Sequence, residues 1–411
     1  MSAAATSGYW GGFSPSRSQP ESNLTERANS IYGGLAGLYA FCVPWSDMVL
    51  LPYQVQFSRP LAVLAMLCLL LSWRAGNTLR RTGFPVGAMA LFILLIPIHL
   101  LSATDPERTG RRLLSYLGLF FMTLFIQQCV RSWSAHLLVL RRYIGGCAIL
   151  LANLGWSVLS GNVQGDGRYT GYGFDPNDLA GQVALSIPVA AYLAFNLRRG
   201  AFWYWCYLPV AVLGILMTAS RAGLVVLSFV SLYVIASLLR RARRSKWGLI
   251  GALLVTGWAI HAFAPHISFH RLATLSDEVS RGDMNGRGAV WINGLQLYWD
   301  NPVFGVGAGG FSGSVRGGSR IAAHNTYLEI LVEHGAVGLA LFLLIVSSLF
   351  FIVRRYPLEE RLLWWVVLSA WMILILTLSW ENREYTWLVW GLCASYVPPR
   401  LTWTGGRWRA A

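Results

Sequence analysis

The sequence predicts an all-α polytopic membrane protein with about twelve transmembrane helices. Of its 411 residues, 55% are hydrophobic and only 12% are charged, and the mean hydropathy is +0.49. Soluble domains carry about 25% charged residues, so a soluble globular fold is excluded. The apolar residues are also gathered into separate runs of the length that a helix needs to cross a bilayer.

Twelve apolar runs are candidate spans, and the second and the last of them are the shortest. Nine lie within residues 31–264 and three within 326–398. Residues 1–30 are rich in Ser, Ala and Gly and are predicted to be a disordered cytoplasmic tail, and 399–411 a cytoplasmic C-terminal tail. The predicted spans are 31–52, 58–73, 85–103, 112–130, 138–160, 178–197, 202–219, 222–240, 247–264, 326–353, 362–380 and 384–398.

The arginines predict the orientation of these spans. The net charge of +15 would suggest nucleic-acid binding in a soluble protein, but here most arginines lie in every second loop. Such loops face the cytoplasm in membrane proteins, so topology accounts for the charge and no nucleic-acid partner is expected. With the N-terminus inside, the long loop 265–325 faces outward.

The six cysteines all lie within apolar runs, and no CxxC pair is present. This pattern predicts buried thiols and argues against a disulfide framework or a zinc site.

Residues 265–325 form the one long polar stretch between apolar runs, and we interpret them as an active-site loop. Within it, apolar residues recur at helical spacing over 288–299, which predicts an amphipathic helix on the membrane surface. The glycine-rich run Gly305–Gly310 follows this helix.

Two arginines lie at positions where a positive charge is unfavourable. Arg221 lies between two apolar runs with almost no loop, and an arginine at the membrane usually has a functional partner, although snorkelling to an interface is the alternative. Arg287 opens the predicted helix that carries Trp291, where the helix dipole disfavours a cation. An anion bound by both Arg287 and the helix N-terminus would remove that conflict.

A histidine and its neighbours form the junction between the long loop and the tenth span. His324 has a side chain whose pKa suits a general base near neutral pH, although a lone histidine is more often structural. Asn325 follows it, and Glu329 lies one turn into the span, where an ion pair is the alternative to a functional role. Arg320 belongs to the same loop.

The outer loop before the sixth span contains further candidates. Arg168 is either a ligand contact or a surface charge, and the pattern leaves both open. Tyr169 and Tyr172 are aromatic platforms of the kind on which sugars stack. Asp175 or Asn177 can cap the helix that follows.

Several familiar motifs are absent. The chain has no P-loop, no GxSxG, no HExxH and no Asp-x-Asp pair. We therefore expect no metal and no cofactor, and we expect arginine to neutralise any anionic leaving group.

In the order and spacing of these residues, the chain resembles the bacterial O-antigen ligase family, within the group that includes O-antigen polymerases and protein O-oligosaccharyltransferases. The resemblance runs over about residues 160–345. It rests on Arg168 with Asp175-Pro-Asn177, Ser220-Arg221-Ala222, Arg287 with Trp291, Asn301-Pro-Val-Phe-Gly-Val-Gly307 and His324-Asn-Thr-Tyr-Leu328. The chain ends soon after its last span, which favours a ligase or a polymerase over a protein glycosylase.

The resemblance implies a GT-C-type glycosyltransferase in the bacterial inner membrane, with its active site facing the periplasm. The implied reaction moves a glycan from undecaprenyl diphosphate to the lipid A–core oligosaccharide without a metal and with inversion. The expected catalytic residues are His324 as base and Arg221 and Arg287 at the diphosphate. The expected substrate-binding residues are Arg168, Tyr172, Trp291, Asn325, Glu329 and Arg320.

Two alternatives remain open from the sequence. An O-antigen polymerase would use the same donor with a second lipid-linked glycan as acceptor. A flippase or other transporter would place its cationic residues in a central cavity, whereas here they gather toward one face.

Overall fold

The fold was analysed in a computed structural model. It describes residues 19–51, 55–56, 82–99, 105–164, 167–197, 199–241, 287–314, 322–395, 401–404 and 407–410, with the isolated positions 63–64, 67, 70, 103 and 257.

The described chain is predominantly helical, with two short antiparallel hairpins. The helices are α1 (Gln19–Cys42), α2 (Phe84–His99), α3 (Pro106–Cys129), α4 (Trp133–Leu159), α5 (Pro176–Asn196), α6 (Ala201–Met217), α7 (Arg221–Arg241), α8 (Arg287–Asp300), α9 (Phe311–Ser314), α10 (Thr326–Val353), α11 (Leu358–Leu374) and α12 (Glu384–Ala394). The hairpins pair β1 (Leu50–Leu51) with β2 (Val55–Gln56) and β3 (Leu401–Thr404) with β4 (Arg407–Ala410).

Among the described residues, five helices are long and apolar enough to cross a membrane: α3, α4, α5, α7 and α10. The apolar helices α2 and α6 are shorter. The prediction of a helical membrane protein is confirmed, while the count of twelve spans is not. The predicted spans 58–73 and 247–264 lie largely outside the described residues.

The first predicted span differs from the structure at both ends. Helix α1 begins at Gln19, so residues 19–30 of the predicted disordered tail are helical. It also ends at Cys42, where a 3₁₀ helix, Val43–Met48, replaces the expected continuation to residue 52. Pro44 explains this end, because proline has no N–H and its ring collides with the preceding helical turn.

Helix α5 lies at the centre of the helix bundle. Every residue from Leu179 to Ala194 is buried, and α4, α6, α7 and α11 pack around it. Small residues allow this close approach: a side chain at Gly181 would meet the Trp380 ring at 2.6 Å. Small residues at helix interfaces serve the same purpose in membrane proteins generally.

The predicted amphipathic helix is confirmed as α8. Its buried residues are Val290 and Gly294, and its exposed apolar residues are Ile292, Leu295 and Trp299. The buried side packs into a small second core with residues from the neighbouring loop and from α10. This core contains Val290, Val306, Phe311, Ala323, Leu328 and Val332.

Helix α10 is broken at Gly335, which has φ +66° and ψ −168°. The break deprives nearby backbone groups of their usual helical partners. Residues 302–310, which we call the glycine-rich segment, supply new partners. The carbonyls of Val332 and Glu333 accept from the N–H groups of Val306 and Gly307, both at 3.0 Å. On the other side of the break, the N–H of Ala336 donates to the Pro302 carbonyl at 2.9 Å, and that of Val337 donates to the Val303 carbonyl at 3.3 Å. The glycine-rich segment is therefore a structural connection between α8 and α10.

Replacing Gly335 with alanine tests this connection. The residue has a positive φ, and an added Cβ would collide with the Val303 carbonyl. We expect Gly335→Ala to destabilise the protein by about 1–3 kcal/mol, the usual cost of a strained backbone conformation. Thermal unfolding in detergent micelles measures the effect. Gly118→Ala in α3 is the control: its Cβ would meet nothing within 4 Å, so it should unfold at or slightly above the wild-type temperature. Equal unfolding temperatures for Gly335→Ala and wild type would contradict the role of this break.

Candidate functional site

The N-terminus of α5 joins two loops that are distant in sequence. The Arg168 guanidinium donates through Nε to the Thr218 carbonyl at 2.9 Å and through Nη2 to Asn177 Oδ1 at 2.8 Å. The Ser220 hydroxyl donates to the same Asn177 oxygen at 2.8 Å. Arg168 is only 7% exposed. The alternative of a surface charge is therefore wrong for Arg168, and its fork fixes the turn that precedes Arg221.

Arg221 is the first residue of α7 and is partly buried. It follows Ser220 directly, so the bond from Ser220 to Asn177 places the start of α7 beside the start of α5. Two helix N-termini therefore lie together, and each carries a partial positive charge.

Arg287 and His324 interact electrostatically with each other and with the start of α5. Arg287 donates through Nη1 to the Thr377 carbonyl at 3.2 Å. Burial lowers the pKa of Arg287, and the charge of Asp175 opposes that shift. Burial also lowers the pKa of His324 from 6.5, the Arg287 charge lowers it further, and Asp175 and Asp178 oppose both effects. The lowered pKa of His324 favours the neutral imidazole, which is the form that a general base needs.

His324 has φ +47°, a left-handed conformation that is uncommon outside glycine. Contacts on both sides hold it there. Before it, the Trp291 indole N–H donates to the Ala323 carbonyl at 2.9 Å. After it, Asn325 caps α10 by accepting the Leu328 N–H at 3.1 Å, and the Thr326 N–H donates to the Ile375 carbonyl at 2.9 Å. Trp291 and Asn325 therefore position His324.

Backbone strain is concentrated at this end of the bundle. In the described part of the chain, the non-glycine residues with positive φ are Ala219, also at +47°, and His324. One precedes Ser220 and Arg221, and the other is the candidate base. Strained residues persist only where their surroundings hold them, and they cluster at functional sites.

The loop between α11 and α12, residues 375–383, is a part of the site that sequence reasoning missed. Trp380 donates through its indole N–H to Asp178 Oδ1 at 2.8 Å. Arg383 forms ion pairs with Asp178 at 3.2 Å and with Asp47 at 3.5 Å. The same loop supplies the Thr377 carbonyl to Arg287. A usable signal was present, since this short polar run interrupts two apolar stretches on the predicted outer side.

Glu329 lies in a cluster of buried charges that includes Glu381 of the loop 375–383. It is 4% exposed and interacts electrostatically with Glu381, Glu333 and Arg112. Arg112 and Glu381 approach to 3.7 Å. The predicted substrate contact of Glu329 stays a prediction, and its charged neighbours in the structure are these three groups.

The remaining predicted residues have different surroundings. Tyr172 is 76% exposed, in the loop before α5. Arg320 lies outside the described residues. Over the described ranges, no group of three or more His, Cys, Asp or Glu side chains is arranged to hold a metal ion.

Comparison with known families bears on the region that contains Arg221, Arg287 and His324. The O-antigen ligase family model matches residues 206–343. The match supports an O-antigen ligase-family protein. It confirms the resemblance for the motifs that lie within those residues, from Ser220-Arg221-Ala222 to His324-Asn-Thr-Tyr-Leu328. No curated protein matches the chain.

Replacing Arg168 with lysine tests the connection between the two helix N-termini. Lysine keeps the charge but lacks the planar fork that donates to two acceptors at once. Loss of one charge-assisted hydrogen bond should destabilise the protein by about 1.5–3 kcal/mol. The unfolding midpoint in detergent micelles measures this. Arg111→Lys is the control, because Arg111 is exposed and pairs only locally with Glu107 within the described residues, so its midpoint should not move. Equal midpoints for both variants would contradict the structural role of Arg168.

Proposed function

We propose that this protein is an O-antigen ligase. It transfers a glycan from undecaprenyl diphosphate to a sugar hydroxyl of lipid A–core, at the periplasmic face of the bacterial inner membrane. The observation that best supports this proposal is the convergence of Arg287 and His324 on the N-terminus of α5, where Asp175 interacts with both. The positive-inside distribution of the loop arginines supports the periplasmic orientation.

Arg221 and Arg287 bind the diphosphate in this proposal. A diphosphate is already a good leaving group, so it needs charge stabilisation rather than protonation. A guanidinium has five N–H donors, and the contact of Arg287 with Thr377 uses only one of them. The clustered N-termini of α5 and α7 add favourable backbone dipoles for an anion.

His324 acts as the general base. The acceptor hydroxyl attacks the anomeric carbon, a new C–O bond forms, and the bond to the diphosphate breaks with its electron pair leaving on the diphosphate oxygen. The hydroxyl proton passes to the neutral His324 imidazole. A single displacement of this kind inverts the anomeric centre. Arg168, Trp291 and Asn325 act as positioning residues in this proposal. The predicted substrate contacts of these three residues, and those of Tyr172, Glu329 and Arg320, stay predictions.

A polymerase would use the same donor and the same residues, with a second lipid-linked glycan as acceptor. A transporter is less well supported, because Arg168, Arg287 and Arg383 gather at one end of the bundle rather than along a path between its ends.

Removing the base tests the function in the native host. We expect His324→Asn and His324→Ala to abolish the lipopolysaccharide ladder on gels, leaving core-only lipid while lipid-linked polymer accumulates. Asparagine tolerates the left-handed backbone of residue 324, so its variant separates loss of the base from loss of the local fold. A product of core plus one repeat would identify a polymerase. A wild-type ladder at equal membrane expression would remove His324 from the mechanism.

The pH dependence gives an independent test of the same residue. Because burial and the Arg287 charge lower the pKa of His324, kcat/KM should be retained to a lower pH than an ordinary imidazole base allows and should decline below that. Asp175→Asn removes a charge that favours the imidazolium but keeps the helix cap. The acid limb should therefore move to lower pH, measured with reconstituted protein, donor and lipid A–core. Asp300→Asn, at the exposed end of α8, is the control and should leave the limb in place. If the acid limb of Asp175→Asn stays at the wild-type pH or moves to a higher pH, the electrostatic coupling between Asp175 and His324 is contradicted.

A further inference from the structure

An open pocket lies in the loop between α4 and α5. It has a volume of about 320 Å³, and its walls come from Asn162, Gln164 and the turn Thr170–Phe174. We call it the loop pocket. Neither the proposed diphosphate contacts nor the proposed base belongs to it.

The chemistry of the loop pocket is polar and uncharged. Asn162 and Gln164 contribute amide groups, Thr170 contributes a hydroxyl, and Tyr172 contributes a ring that is 76% exposed. Among the described residues, none of those that line the pocket carries a charge. Amides match the alternating donors and acceptors of sugar hydroxyls, and an aromatic face matches the apolar C–H face of a pyranose ring. An anion would find no cation among these lining residues.

The backbone at Tyr172 is held firmly, although its ring is exposed. The Asn153 side chain accepts from the Tyr172 N–H and donates to its carbonyl, both at 3.1 Å. Next to it, Gly173 has φ +85°, and a side chain there would meet the Asp47 carbonyl at 2.5 Å. Phe174 closes the turn by donating its N–H to the Gly171 carbonyl at 3.1 Å, and it is itself 7% exposed. Because this backbone is already fixed, ligand binding at Tyr172 would not have to order the loop.

The loop pocket lies beside the candidate site. Its loop also contains Arg168, which is bonded to Asn177 and to the turn before Arg221. Asp175, which interacts with Arg287 and His324, directly follows the turn. A sugar residue bound in the loop pocket would belong to a glycan. The reacting end of that glycan would lie at the same end of the helix bundle.

We propose that the loop pocket is a subsite for a neutral saccharide residue, with Tyr172 as its stacking platform and Asn162 and Gln164 as its hydrogen-bonding groups. The proposal rests on the proposed function, since the saccharide belongs either to the donor glycan or to the acceptor core. The competing explanation is that Tyr172 belongs to an aromatic band at the lipid–water boundary. Trp156 on α4, 71% exposed and not part of the pocket, provides the comparison.

Ligand-observed saturation-transfer NMR on the purified full-length protein in detergent micelles tests the subsite. The two probes are the lipid-free core oligosaccharide released by mild acid and a free O-unit oligosaccharide. Wild type, Tyr172→Phe and Trp156→Ala should bind at least one probe equally well. Tyr172→Ala should bind that probe roughly three- to tenfold more weakly, as expected for the loss of one aromatic contact. Binding of the core probe assigns the pocket to the acceptor, and binding of the O-unit assigns it to the donor.

Saccharide binding that is the same in Tyr172→Ala and wild type, with both proteins monodisperse, would overturn the proposal. So would the absence of binding for both probes. His324→Asn separates this outcome from the fate of the proposed function. If that variant loses the ladder in cells while Tyr172→Ala still binds saccharide normally, the subsite is wrong and the ligase remains. If His324→Asn keeps the ladder while Tyr172→Ala loses saccharide binding, the pocket stands and the proposed mechanism is wrong.

Discussion

At the start of α5, a buried helix presents polar groups that need partners, and the rest of the candidate site is arranged around that need. Asn177 and Asp178 in the first turn carry side-chain acceptors that are partly buried, and such acceptors are costly to leave without donors. Asp175 caps the helix, Asn177 accepts from Arg168 and Ser220, and Asp178 accepts from Trp380 and Arg383. Satisfying one helix end therefore draws three distant loops together.

The same contacts offset much of the positive charge that the arginines bring to this end of the bundle. Arg383 is balanced by Asp47 and Asp178, and Asp175 offsets the charge of Arg287. Partly buried guanidinium groups without such carboxylates would be costly. A diphosphate entering this site would add negative charge beside cations that are already in position, so little reorganisation is required.

The N-terminal segment of α10 and the described part of the long loop form a unit with its own small core. Val306 and Val332 pack in that core, and the glycine-rich segment bonds to the backbone at the break of α10. His324 lies at one end of this unit. Arg287 lies at another end, as the first residue of α8. Because the Trp291 indole N–H donates a hydrogen bond to the Ala323 carbonyl, His324 and Arg287 are held in one framework rather than on independent loops.

Hydropathy and periodicity predicted much of the local structure. They predicted the helical class, α10 with the observed bounds Thr326–Val353, and α8 to within one residue at each end. They also marked Arg168, Arg221, Arg287 and His324 as candidates, because a charged group at a membrane boundary is expensive wherever it lies in the fold. The early end of α1 was readable in principle from Pro44, whose effect is local.

The partners of these residues were decided by the tertiary structure alone. Asp178 and Trp380 are 202 positions apart, and nothing in the pattern around either one indicates the other. The grouping of Glu329 with Arg112 and Glu381, the docking of the glycine-rich segment on the break at Gly335 and the left-handed conformation of His324 are of the same kind. Residue composition determines which segments enter the membrane, because transfer into lipid is a property of each segment by itself. Which segments then meet depends on packing and on the pairing of buried polar groups, and those are properties of the whole chain.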